Sequence, residues 1–195
     1  MGRCEIENAR VYVTTRRRCM QGNRSGQWME VNRFNSSREL YRAFGELYPD
    51  EQQPAICFLD WEDIPPHFIS ETYLSENFFD LLAGLREMDN TQKLGFSHWL
   101  GRHGQEIPAT DAKIIIRAFE MCYQGYFGYK QRFTEYYAEN ELGITKKSSP
   151  RFDFRTFTNF LFSEIFVIDC GFVLRKVKYE FKNVKTNGEK SGESR

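Results

Sequence analysis

Apolar and polar residues alternate in short segments of the first third of the chain, as in strands that bury one face. The segments are 10–15 (RVYVTT), 26–31 (GQWMEV) and a more continuously apolar run at 54–61 (PAICFLDW). Between them, Ser36 with Glu39 three residues later forms a capping-box pattern, which predicts the start of a helix. We therefore predict that residues 1–61 form a lobe of three strands and one helix, with a basic loop after the first strand.

A different periodicity begins after the Pro65-Pro66 pair, which bars helix continuation. Apolar residues then recur every three or four positions, the spacing of one face of a helix: Leu74, Phe78, Leu81, Leu82, Leu85 and Met88. A second, shorter helix is predicted near 91–100, where two glycines follow. Residues 62–108 are thus predicted to be a helical lobe.

The remaining third mixes helices with one hairpin. Asp111 is a predicted N-cap, a further helix is expected near 129–142, and Asp153 caps a turn or two rich in Phe. Asp169-Cys170-Gly171 lies between two apolar runs and is a hairpin signal. We predict a helical lobe with a C-terminal hairpin at 109–182 and a polar, disordered tail at 183–195. The fold class is therefore α+β, with three small lobes.

Charge is distributed unevenly although the formal net charge is zero. Residues 46–89 contain eleven acidic residues and one base, Arg86, whereas residues 1–45 contain nine Arg and four Glu. Residues 146–195 are basic again, with eleven bases and six acids. A concentrated anionic zone repels nucleic acid and membrane surfaces and attracts proteins with basic clefts.

Within the predicted helix at 74–88, Glu76, Asp80 and Glu87 lie on the side opposite the apolar residues. Glu76 and Asp80 are separated by about 6 Å along the axis, which is close to the spacing of neighbouring phosphates on a DNA strand. The simpler alternative is an ordinary solvated helix face. However, such faces mix charges of both signs, and the zone 46–89 does not.

Several motifs follow one another along the chain: RVYVTT at 10–15, GQWMEV at 26–31, RELYRAFGELYPDE at 38–51, FLDWEDIP at 58–65, the Tyr-Gln-Gly turn at 123–125 and RFDFRTFTNFLF followed by DCGFVLR across 151–175. Together these motifs resemble the ArdA antirestriction family. The match covers roughly residues 9–176 and keeps the order of the elements. This chain differs from the acidic family in its neutral net charge, with Lys and Arg after the Tyr-Gln-Gly turn and after the last strand.

The resemblance implies an elongated, non-catalytic protein, usually a homodimer, whose acidic surface imitates bent DNA. Such proteins occupy the DNA groove of type I restriction–modification enzymes and protect incoming mobile DNA. We accordingly expect a type I enzyme as partner, no direct binding of DNA, and an aromatic dimer interface in the third lobe. The predicted phosphate surrogates are Asp60, Glu62, Asp63, Glu71, Glu76, Asp80, Glu87 and Asp89.

Two other function classes stay open. The Arg- and Lys-rich ends would suit an accessory protein of a mobile element that binds a protein or nucleic acid, and the carboxylates of Asp60, Glu62 and Asp63 would suit a metal-dependent hydrolase. We predict no enzyme, cofactor or metal site, because no phosphate loop or nucleophile motif occurs and His98 and His103 have unsuitable spacing for a metal.

The expected location is the cytoplasm. The five cysteines are odd in number and lack CxxC spacing, which favours reduced thiols. No apolar run approaches the roughly 20 residues of a membrane span, and the first ten residues lack the apolar segment of a signal peptide.

Overall fold

The computed structural model describes residues 3–176, which form a mixed α+β fold of seven α-helices and three small sheets. The predicted α+β class is confirmed. The predicted tail at 183–195 lies outside the described residues, as do the lysines beyond Lys176.

The first sheet contains the three predicted strands, β1 (Arg10–Thr15), β2 (Gln27–Glu30) and β3 (Ile56–Glu62), in the antiparallel order β2-β1-β3. Helix α2 (Ser37–Leu47) begins at its predicted cap, where the Ser36 hydroxyl accepts a hydrogen bond from the Glu39 N–H. Its buried Leu40 and Phe44 join Val13 of β1 in one core, so α2 lies on the inner face of the sheet.

The predicted basic loop is wrong in part, because residues Arg16–Met20 form a short helix, α1. The Thr15 side chain caps it by accepting a hydrogen bond from the Arg18 N–H. The Arg18 guanidinium then pairs with Asp50 at 3.0 Å. A local cap and the ion pairs of Arg18 with Asp50 and Glu51 therefore order a segment that has no apolar periodicity.

The middle of the chain follows the predicted helices. Helix α3 (Glu76–Arg86) buries the predicted apolar side, and α4 (Asn90–His103) continues three residues beyond the predicted Leu100. Before α3 stands a small hairpin of β4 (Ile69–Ser70) and β5 (Tyr73–Leu74). Two-residue strands carry no detectable periodicity, so the sequence did not predict them.

The third part contains the predicted helices and hairpin, and one strand that was not predicted. Its elements are α5 (Ala112–Cys122), β6 (Tyr123–Tyr126), α6 (Lys130–Leu142), α7 (Phe154–Phe160), β7 (Phe166–Asp169) and β8 (Phe172–Arg175). The antiparallel sheet has the order β6-β8-β7, and α7 continues as a π-helical turn at Leu161–Ile165. Gly143 ends α6 with φ +66°, a left-handed conformation that favours glycine.

Among residues 3–176, the buried apolar residues form two clusters. The larger cluster includes residues from Ile6 to Leu174 and contains side chains of the first sheet, α3, α4 and α5. The smaller consists of Phe133, Leu161, Phe162, Phe166 and Val173. The larger core crosses the predicted boundaries after residues 61 and 108, and the division into three lobes stays a prediction.

Candidate functional site: an acidic surface

Helix α3 presents an acidic row because its apolar residues fix which side faces the core. Phe78, Leu81 and Leu85 are buried, whereas Glu76 and Asp80 are exposed. At 1.5 Å rise per residue, Glu76 and Asp80 are about 6 Å apart along the axis. Glu87, the C-cap of the helix, is also exposed. The predicted row on α3 is therefore solvent-facing.

Most of the predicted phosphate surrogates are not matched by a base. Among residues 3–176, Glu62 is the one member of the eight that forms a salt bridge, with Arg10 at 2.7 Å. Glu76 accepts a hydrogen bond from the backbone N–H of Ser37, and Asp63 accepts one from Glu5. Within residues 3–176, the carboxylates of Glu71, Asp80 and Glu87 form no hydrogen bond and no salt bridge. A basic partner would therefore contact carboxylates that no Lys or Arg of residues 3–176 neutralises.

Glu62 and Asp60 lie elsewhere, on the outer face of the first sheet. In the register of the sheet, Asp60 is opposite Tyr12 and Glu62 is opposite Arg10. The Arg10 guanidinium also stacks 4.7 Å from the centre of the Trp28 ring. The Arg10 hydrogen bond holds the pKa of the Glu62 carboxyl below its ordinary value. As a result, Glu62 stays ionised but is largely neutralised by its partner.

Asp89 has a structural role that accounts for its presence. Its carboxylate accepts hydrogen bonds from the N–H groups of Thr91 and Gln92, and the Gln92 side chain accepts one from the Asp89 N–H. This capping box satisfies orphan donors at the start of α4. The structure thus groups Asp60 with Glu62 on the sheet and Glu76 with Asp80 on α3, while Asp89 serves as a helix cap.

A groove beside Glu87 adds an acid that the sequence argument missed. Glu87 and Glu120 both line it, with Ile116 and Phe119 among the apolar residues of its wall. Glu120 is exposed on α5 and lies 33 positions after Glu87 in the chain. The polar side of α5 was detectable from its periodicity, but nothing in the sequence indicated that it would lie next to the end of α3.

The carboxylates proposed for a hydrolase do not form a compact ligand set. Within residues 3–176, one group of three side chains brings metal-ligand atoms within 4.8 Å of one another, and it is His98, Asp169 and Cys170. Asp63 instead bonds to a backbone N–H near the N-terminus. The hydrolase alternative therefore gains no geometric support from these residues.

The basic residues of the N-terminal part are partly used inside the molecule. Arg10, Arg18 and Arg33 each pair with an acidic side chain. Arg16 and Arg17 are exposed and enter none of the salt bridges among residues 3–176. Fewer unpaired basic side chains are thus available to bind nucleic acid than the composition of this part suggests.

No family model and no curated protein matches the chain. In the part of the chain that the structure describes, none of the helices combines the length and the apolar character needed to cross a bilayer.

Proposed function

We propose that this protein is a non-catalytic DNA mimic that binds a type I restriction–modification enzyme and competes with DNA for its groove. The observation that carries the proposal is the exposed row on α3, whose carboxylates lack a basic partner among residues 3–176. Unpaired like charges reduce folding stability by mutual repulsion, so their retention suggests a use in binding. The buried Phe and Leu side chains of α3 hold the row on a rigid support.

The proposal includes the expectations for partner, assembly and location. The partner is a basic protein groove, the chain acts in the cytoplasm, and two copies associate through aromatic residues of the third part. Tyr126, Tyr129, Tyr136 and Phe160 are each more than half exposed, between 51% and 62%. Sedimentation-equilibrium measurements test the dimer: a monomer mass at all accessible concentrations contradicts it.

A competition assay tests the central claim. A type I methyltransferase is bound to a fluorescent DNA duplex at low salt, and the protein is added in excess. We expect release of the DNA, with weaker competition as salt rises, because complementary charges steer the encounter and are screened by ions. Retention of the DNA at excess protein in low salt contradicts the proposal.

A charge-matched pair of variants locates the surface. The triple variant Glu76→Gln, Asp80→Asn, Glu87→Gln removes three charges from the α3 side and should weaken competition by about 10-fold, from roughly 0.5 kcal/mol per exposed pair. The control variant Glu139→Gln, Glu141→Gln, Glu164→Gln removes the same charge from exposed positions in the third part. Equal loss in both variants would indicate a general effect of net charge rather than a defined site.

The alternative is an accessory protein of a mobile element that binds nucleic acid through basic residues. The exposed pair Arg16 and Arg17 on α1 favours it. A gel-shift experiment at low salt separates the two proposals. A DNA mimic repels DNA and gives no shift, whereas the alternative predicts a shift that disappears in Arg16→Gln, Arg17→Gln.

A further inference from the structure

Three side chains with metal-binding chemistry converge where α4 meets the last hairpin. His98 comes from the middle of α4, Asp169 ends β7 and Cys170 begins the turn to β8. One ligand atom from each lies within 4.8 Å of the others. His98 lies about seventy positions before the adjacent Asp169 and Cys170, so the fold and not local spacing brings the histidine to the other two.

A close helix–sheet contact explains the convergence. Gly95 lies one turn before His98, and a Cβ at Gly95 would stand 2.6 Å from the Tyr123 ring and 3.2 Å from the Phe172 ring. Glycine therefore lets α4 approach the sheet closely. The His98 ring then packs on Phe172, with their centres 5.4 Å apart, which places its Nδ1 atom 3.7 Å from Asp169 Oδ1.

The distances suit a tetrahedral ion. Zinc bonds of about 2.0–2.2 Å to nitrogen and oxygen place the two ligand atoms about 3.4 Å apart at a tetrahedral angle. The observed 3.7 Å between His98 Nδ1 and Asp169 Oδ1 needs little change. Cys170 is exposed, so its side chain has room to rotate inward. A fourth position would remain for water.

The polar atoms of this cluster are not consumed by other contacts. Within residues 3–176, no side-chain hydrogen bond involves His98, Asp169 or Cys170. Arg102 faces Asp169 Oδ2 at 3.7 Å, which leaves Oδ1 for a ligand and orients the carboxylate from the outer side. The Arg102 charge opposes a cation, whereas the Asp169 carboxylate and a Cys170 thiolate would together balance a divalent ion.

Cys170 has a left-handed backbone conformation, which is uncommon for a residue other than glycine. Cys170 has φ +46° and Gly171 has φ +90°, the conformation of a type I′ turn. Glycine and asparagine are the preferred residues at such positions. A cysteine there is unfavourable for the backbone, and the strain is consistent with a role for the thiol.

Contrary to the expectation from the sequence that no metal site is present, we infer that His98, Asp169 and Cys170 form a binding site for a divalent ion of the zinc class that links α4 to the β7–β8 hairpin. Thiolate and imidazole ligands favour zinc over magnesium or calcium, which prefer oxygen. The inference is independent of the proposed DNA mimicry, because it concerns a different surface and is read out by metal binding alone.

Cobalt titration of the full chain tests the site, since Co²⁺ replaces Zn²⁺ and a cobalt–thiolate bond gives a charge-transfer absorption band. We expect this band in the wild type, its loss in Cys170→Ser and His98→Gln, and an affinity reduced at least about 10-fold in Asp169→Asn. Zn²⁺ should displace Co²⁺ and raise the melting temperature of the wild type but not that of Cys170→Ser. Melting in EDTA checks that each variant folds.

Cys19→Ser is the matched control, because it removes a thiol that neighbours Cys57 of β3 and is not a proposed metal ligand. Burial, and to a smaller extent the neighbouring Cys19 thiol, raises the pKa of the Cys57 thiol to about 11. The cobalt band should survive in Cys19→Ser. A wild type without a band in excess Co²⁺, a band that persists in Cys170→Ser or His98→Gln, or a band lost in Cys19→Ser overturns the inference.

Discussion

Reversing one charge on α3 should strengthen the fold and weaken the proposed function. Asp80 is exposed, makes no salt bridge or side-chain hydrogen bond among the described residues, and lies one turn after Glu76. It is also beyond the first helical turn, where an acid would interact with the helix dipole. Asp80→Lys therefore replaces an i, i+4 repulsion with an i, i+4 attraction.

The size of this effect follows from the helix geometry. Two unit charges about 6 Å apart in water interact by about 0.7 kcal/mol, and physiological salt with a Debye length of about 8 Å reduces this to about 0.3 kcal/mol. Changing repulsion into attraction should thus raise the free energy of unfolding by about 0.6 kcal/mol. In 1 M salt, with a Debye length of about 3 Å, the gain should fall to about 0.2 kcal/mol.

Urea unfolding of the wild type, Asp80→Asn and Asp80→Lys, at both salt concentrations, measures the effect. Asp80→Asn removes the repulsion without adding an attraction, so its gain should be about half that of the Lys variant. In the competition assay the order should reverse, with Asp80→Lys the weakest competitor. A destabilised Asp80→Lys, or a gain that does not depend on salt, would show that Asp80 is held by specific contacts and would refute the account of α3 as a row of free charges.

Three further predictions concern the fold. Gly45 on α2 has open space where a Cβ would lie, so Gly45→Ala should raise the free energy of unfolding by about 1 kcal/mol. By contrast, Gly95→Ala should lower it by about 1–3 kcal/mol through overpacking; urea unfolding compares the two, and equal signs contradict the prediction. Phe133 is 1% exposed and is surrounded by aromatic side chains. Phe133→Ala should therefore lower the free energy of unfolding by about 3–5 kcal/mol. A loss under about 1 kcal/mol in the same assay would show that the cluster is loosely packed. Because the Arg10 hydrogen bond lowers the pKa of Glu62 from 4.5, this pair adds stability at neutral pH that is lost as pH falls below 4.5. The difference in urea midpoint between wild type and Glu62→Gln should therefore close in acid, and a constant difference argues against the ion pair.

Local signals were sufficient for much of the fold. The Ser36 cap and the apolar spacing of α3 act within one or two helical turns, so the sequence alone could locate both helices. The same periodicity predicted that Glu76 and Asp80 would face solvent. These predictions needed no knowledge of the tertiary structure.

Features that depend on distant partners were not predictable. Strand β6 follows directly on α5, and its Gly125 is paired with Val173 of β8, far along the chain. Helix α1 depends on the contact of Arg18 with Asp50. The pairing of Glu62 with Arg10 requires the register of the first sheet.

Strand β8 belongs to both hydrophobic clusters at once. Leu174 is buried in the larger cluster and its neighbour Val173 in the smaller one, because successive side chains of a strand point to opposite faces. Displacing β8 would open both clusters together. We therefore expect residues 3–176 to unfold in a single cooperative transition, without a stable intermediate in which one cluster stays packed after the other has opened.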